Sequence, residues 1–249
     1  MEVKYKIQTM PFSTVPSKEQ VIMETPTKPD IDFVPVELEP MHKQRWRSDT
    51  VRLVYAVIPP HTKSLWHQHL KYSVYVVMAP LAVTEQSYGA APHALVQDKG
   101  AVFCRDHTKD KLLHVASTDE SSSKIIIVEL LKDMEDVVAH NQIALHEAEG
   151  IELLNDEPKC RVYRVTLHDA SDGQSTTEVS LELPTAAVLV VLDDCEVEVT
   201  SASSDPKVPS VRALSLKVAD DIQLAAGKFS VKLVSSTVKK TQFILTEVY

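Results

Sequence analysis

The chain has 249 residues, a formal charge of −9 and an isoelectric point near 5.6, with 44% hydrophobic and 24% charged residues. That is the profile of an ordinary globular protein. The acidic balance and the lack of a basic stripe exclude nucleic acid as a partner, and no run approaches the roughly 18 apolar residues of a membrane-spanning helix. Three cysteines, Cys104, Cys160 and Cys195, without a C-x-x-C pair argue against a disulfide framework and for a reducing compartment. The opening Met1-Glu2-Val3-Lys4 carries no signal-peptide pattern, so a cytoplasmic location is expected.

Residues 1–45 are rich in proline and charge and read as an extended arm with short strands that packs on the main body. From residue 46 onward, short β-branched runs dominate: Arg52–Ile58, Val74–Met78, Ile125–Leu131, Arg161–Leu167, Ala187–Leu192, Glu196–Thr200, Val211–Val218, Phe229–Val234 and Gln242–Val248. Such runs between turn residues predict an all-β sandwich or barrel. With 14 prolines and only 5 glycines, many turns must use Asn, Asp, Ser or Pro chemistry. The one stretch with helical character is Met134–Glu149, within a linker over 133–155, with irregular linker as the alternative reading.

Three of the runs recur in the same order. Arg52–Ile58 lies over Arg161–Leu167, Val74–Met78 over Val188–Leu192, and Ile125–Leu130 over Phe243–Val248. An internal duplication follows, with one domain over 46–132 and a second over 156–249.

His67-Gln68-His69 stands between two of these runs. On a strand, residues i and i+2 share a face and lie roughly 6.5 Å apart, a spacing at which two imidazoles can share one metal ion. His114, on a later β-patterned stretch, is the third candidate ligand. In the second repeat the H-x-H window falls near Glu178-Val179-Ser180 and Lys232 falls opposite His114, so only the first domain carries a site. Tyr75 shares the strand parity of His67 and His69 and is a candidate pocket residue, as are Ser73, His61 and Cys104. His93 and His107 fall in loop-like sequence and carry little weight.

These residues resemble the cupin superfamily. Its first motif runs G, five residues, H-x-H, three or four residues, E, six residues, G. Here His67 and His69 fill the H-x-H, while His61, Ser73 and Pro80 stand where the family has glycine, glutamate and glycine. His114 and Thr118 stand for the second motif's histidine and asparagine, and Gly100 lies near its opening glycine. The resemblance implies a two-cupin chain, each half a jelly-roll or double-stranded β-helix barrel with the metal inside one mouth, and a homodimer by pairing of sheets. With Ser73 in place of the glutamate, the metal set is three neutral imidazoles, His67, His69 and His114. Such a set leaves the ion's charge uncancelled and favours a small anionic ligand. The resemblance to three-histidine cupins implies Fe(II) and a dioxygenase; ligand type also admits Zn, Ni, Mn or Cu. A metal-dependent isomerase or lyase, and a non-enzymatic storage, sensor or structural protein, remain as alternatives.

Overall fold

Four β-sheets stacked in layers make up the computed structural model, which describes residues 30–132, 142–169, 176–201 and 210–249. The first half contributes β1 (Val34–Pro35), β2 (His42–Arg47), β3 (Val51–Ile58), β4 (His67–Gln68), β5 (Tyr72–Val77), β6 (Leu81–Ser87), β7 (His93–Gln97), β8 (Val102–Asp106), β9 (Leu113–Thr118) and β10 (Ser123–Leu130). A single helical turn, α1 (His107–Asp110), follows β8. The second half contributes β11 (Ile151–Glu157), β12 (Cys160–His168), β13 (Glu178–Leu183), β14 (Ala187–Val191), β15 (Cys195–Ser201), β16 (Ser210–Leu216), β17 (Asp221–Leu224), β18 (Gly227–Ser236) and β19 (Lys240–Val248).

The strand orders show the duplication directly. The first half has an inner sheet β2-β3-β10-β5-β8 and an outer sheet β1-β4-β9-β6-β7. The second half has an inner sheet β11-β12-β19-β14-β17 and an outer sheet β13-β18-β15-β16. Each strand from β2 to β10 has its counterpart nine strands later, and β1 has none among the described residues. The three sequence matches fall on β3/β12, β5/β14 and β10/β19, the central strands of the inner sheets.

The two inner sheets pack back to back. One face of each is joined in a single apolar cluster that includes Leu53, Val74, Val76, Ile126 and Val128 from the first half and Val162, Val190 and Ile244 from the second. Their opposite faces line the interior of each half. Both faces are therefore dry, which explains why these strands read as unbroken apolar runs. The outer strands β6 and β15 instead alternate buried and exposed residues, because one face meets water. Each fully buried Val, Leu or Ile contributes about 1.5–3 kcal/mol relative to exposure, so the inter-half seam is a core and not a loose contact.

Three expectations need correction or placement. Among the described residues the paired sheets of each half are not closed into one hydrogen-bonded barrel; they form an open jelly-roll sandwich. Strands β1, β2 and β11 occupy sequence assigned above to the arm and the linker, while residues 1–29 lie outside the described residues. The expected helix over 134–149 lies outside them as far as residue 141, and residues 143–149 form irregular chain. No described helix is long and apolar enough to cross a membrane.

Candidate metal centre

The interior of the first half holds a connected cluster of four histidines, in which His67 and His69 each neighbour the other three. His67 opens β4 and His69 directly follows it, and β4 is gripped on both edges: Val34 of β1 pairs with His67 in parallel, and His114 of β9 faces His67 across an antiparallel pair. The His67 and His114 rings are 4.5 Å apart, and His69 is 5.1 Å from each. The sequence-predicted trio thus converges. His42 of β2 joins it, with ring centroids 4.6 Å from His67 and 5.7 Å from His69. The ligating nitrogens of His42, His67 and His69 lie within 4.8 Å of one another. His114 lies on the other flank of His67, its Nε2 3.0 Å from the Nε2 of His67.

Three of the four rings are oriented by partners on Nδ1. His42 Nδ1 donates to Glu39 Oε2 at 2.7 Å, His67 Nδ1 to the Leu65 carbonyl at 2.8 Å, and His114 Nδ1 to Glu85 Oε1 at 2.9 Å. A carbonyl or carboxylate can only accept, so Nδ1 carries a proton, and in the neutral ring Nε2 presents a lone pair. This is the outer arrangement that holds metal-binding imidazoles in one tautomer. It has a consequence at the centre. The Nε2 atoms of His67 and His114 lie 3.0 Å apart, so in the neutral rings two lone pairs meet unless a proton or a metal ion bridges them. A shared cation relieves that repulsion. Two nitrogens bound side by side on one ion at ~2.1 Å are themselves about 3 Å apart. His69 is 1% exposed, and neither of its ring nitrogens has a hydrogen-bond partner. Buried polar atoms are normally paired; Nδ1 lies 3.8 Å from Glu129 Oε1, and one of the two nitrogens is open to a metal ion.

The electrostatics agree. Burial, then the neighbouring His114 and His42, pushes His67 down to about 3. Burial, then His114 and His67, holds His69 well below its ordinary value. Both therefore stay neutral and available to a metal in mild acid. Burial raises Glu39 and Glu85, but their partners outweigh it. The His42 bond and the Met41 and Leu65 amides hold Glu39 down, and the His114 and Arg105 bonds bring Glu85 to about 2.

Beside the histidines lies a cavity of about 60 Å³. Ile58, Val83, Leu95 and Ile125 give it apolar walls, with Tyr75, Phe103 and Arg105 on another side. The other predicted pocket residues separate here. Tyr75 lines the cavity, and its hydroxyl donates to His107 Nε2 at 2.9 Å. Ser73 is buried, directly opposite Glu129 on β10, with its hydroxyl on the Lys71 carbonyl, and does not line the cavity. Cys104 faces the other way, into the seam between the halves. His61 is an exposed turn residue beside Glu120.

Sequence reasoning missed His42, Glu39, Glu85 and Arg105, and it set aside His107, which is fully buried behind His69. Glu85 was legible: Leu81, Val83 and Glu85 share the inward face of β6, and a carboxylate third in an apolar row needs a partner. His42 had no such signal, because its strand precedes the H-x-H by some 25 residues in sequence assigned to the arm.

Strand registers identify what replaced the site in the second half. Phe229 stands against Leu181 and Ser201 as His114 stands against His67 and Ser87. The counterparts of His67, His69, His114 and Glu85 are therefore Leu181, Leu183, Phe229 and Val199, all in one apolar core. This corrects the expected Glu178–Ser180 window and Lys232. A fixed sequence offset misjudged loop lengths that the hydrogen-bond ladders resolve. The Arg52–Glu129 pair does persist in register as Arg161 and Glu247, but Glu247 there accepts from His146 at 2.6 Å and from the Tyr249 hydroxyl at 3.1 Å.

No family model and no curated protein matches this sequence. Solved structures do. The vicilin from Solanum melongena matches at 10% identity over 84% of this chain and 83% of its own, with a TM-score of 0.56. An oxalate decarboxylase from Lactobacillus farciminis matches at 8% identity over 81% and 78%, TM-score 0.55. The 7S globulin of Momordica charantia matches at 8% over 84% and 82%, TM-score 0.53. At these identities the likeness is one of fold. The tandem sheet pairs and these neighbours together give the class: the chain has the fold of the two-cupin proteins.

Proposed function

We propose that the chain is a metal-binding two-cupin protein in which His42, His67, His69 and His114 hold one divalent transition ion and the adjoining cavity receives a small anion. The observation that carries this reading is the 3.0 Å approach of the His67 and His114 Nε2 atoms, a gap that a shared cation would bridge, beside the buried ring nitrogens of His69 that have no hydrogen-bond partner. His42 adds a fourth imidazole to a set that lacks the carboxylate of the cupin motif, so the set is all imidazole. Such ligands suit Fe, Zn, Cu or Ni, and their neutrality leaves the full charge of the ion to attract an anionic ligand. Two structural neighbours were solved with anions: the vicilin with anionic ligands and the oxalate decarboxylase with formate.

A bound ion of this kind supplies a Lewis acid, and iron(II) would add dioxygen chemistry. The chain's own residues do the rest. Glu39, Leu65 and Glu85 fix the imidazole tautomers, and the apolar walls keep bulk water from the ion. The oxygenase reading favours iron(II) as the resident metal. The test is elemental analysis followed by oxygen uptake on the iron-loaded protein with candidate small acids. Near-stoichiometric metal that is lost in the double variant His67→Leu with His69→Leu supports the binding site. Substrate-dependent oxygen uptake supports the oxygenase. Metal without uptake leaves a binding or Lewis-acid role, and no metal after reconstitution ends the proposal.

A further inference from the structure

Among the described residues, Arg105 is the one Lys or Arg side chain in the cavity wall. It sits in β8, an edge strand of the inner sheet, opposite the small buried Ser73, which leaves it room to lean over the cavity. Its guanidinium lies 5.3 Å from the centre of the Phe103 ring and 6.0 Å from that of Tyr75. Two of its nitrogens hold Glu85, at 3.1 Å to Oε1 and 3.5 Å to Oε2. The same Oε1 accepts from His114. One carboxylate thus holds both a candidate metal ligand and the guanidinium, and the Phe103 and Tyr75 rings lie beside it. A guanidinium carries five N–H groups. Glu85 occupies part of the fork, and the side chain keeps 33% exposure, so donors remain for a ligand.

We propose that Arg105 is the anion-recognising residue of this cavity, and that its ligand class is a short carboxylic acid carrying a second donor atom that reaches the metal. This rests on the metal reading above for the second donor, but not for the role of Arg105. Planar carboxylate is the group that a pre-oriented guanidinium matches best. The size limit follows from the volume. A cavity of about 60 Å³ has room for about four to six waters, and so for an acid of about six non-hydrogen atoms. The apolar walls select a short hydrocarbon body between the two polar ends.

Lactate is the probe, with lactamide as its uncharged isostere. Affinities are measured by calorimetry on zinc-loaded wild type, Arg105→Gln and Arg105→Lys, with metal content and thermal midpoint recorded for each. The wild type should prefer lactate over lactamide. Arg105→Gln should weaken lactate by about tenfold or more while leaving lactamide within twofold, and Arg105→Lys, which keeps charge but not the planar fork, should fall between. Lactate affinity in Arg105→Gln within twofold of wild type, at equal metal content, overturns the proposal. So does failure of the metal-loaded wild type to bind lactate. If the protein takes up no metal yet lactate binding still depends on Arg105, the metal reading fails and the assignment of Arg105 stands.

Discussion

The buried histidines make a prediction about acid stability in the metal-free protein. His67 is fully buried and depressed to about 3 from an ordinary value of 6.5. The unfolded chain therefore takes up a proton at this position that the folded chain refuses. Stability rises with pH wherever the unfolded state binds more protons, so this contribution is complete above pH 6.5 and is lost as pH falls toward 3. Each unit of separation is worth about 1.4 kcal/mol. Acidifying from pH 7.5 to 4.5 crosses two units of the window, and His67 alone should remove about 2–3 kcal/mol. The variant is His67→Leu, because leucine fills the equivalent position 181 in the second half. Urea unfolding of chelator-treated wild type and variant at the two pH values gives the comparison. The variant should lose 2–3 kcal/mol less than wild type on acidification. An identical loss in both proteins would falsify the claim that His67 is held neutral by its surroundings.

Three further outcomes follow from the same geometry. Arg52 is salt-bridged to Glu129, both almost wholly buried; Arg52→Met should cost about 3–5 kcal/mol, and more at pH 8 than at pH 5, because burial already raises Glu129 and protonation spares it. Chemical denaturation at both pH values checks the size and the sign. Ser73→Glu, which restores the carboxylate of the cupin motif, places it directly opposite buried Glu129. It should lower the thermal midpoint of the metal-free protein, and an unchanged or higher midpoint would show that the new side chain reaches the histidines instead. Leu181→His puts an imidazole into the apolar core of the second half without the partners that His67 has; a loss of about 1–3 kcal/mol is expected, and metal binding by this single variant would contradict the account of that half as ligand-free.

Much of this architecture was legible because the inner sheets are buried on both faces. That condition writes continuous apolar runs into β3, β5, β10 and their counterparts, and the same condition made the repeat visible. The trio His67, His69 and His114 was legible because alternation along one strand and one later strand sufficed. His42 was not, since its place depends on β2 adding to the edge of β3 with a register shift near Gln44, a long-range pairing with no local mark. The second-half counterparts were misplaced for a related reason: loop insertions move the sequence offset, while pairing to β18 sets the true register. The open sandwich likewise reflects hydrogen bonding between sheet edges, which hydrophobic pattern does not encode.

The central claim is that one ion is held by an all-imidazole set that includes His42 and His114. X-ray absorption on the zinc-loaded protein counts imidazoles through their ring scattering and tests this most directly. The wild type should show four imidazole ligands and no protein carboxylate, and His42→Leu and His114→Leu should each lose one. A wild-type spectrum with two or fewer imidazoles, or one unchanged in both variants, would contradict it.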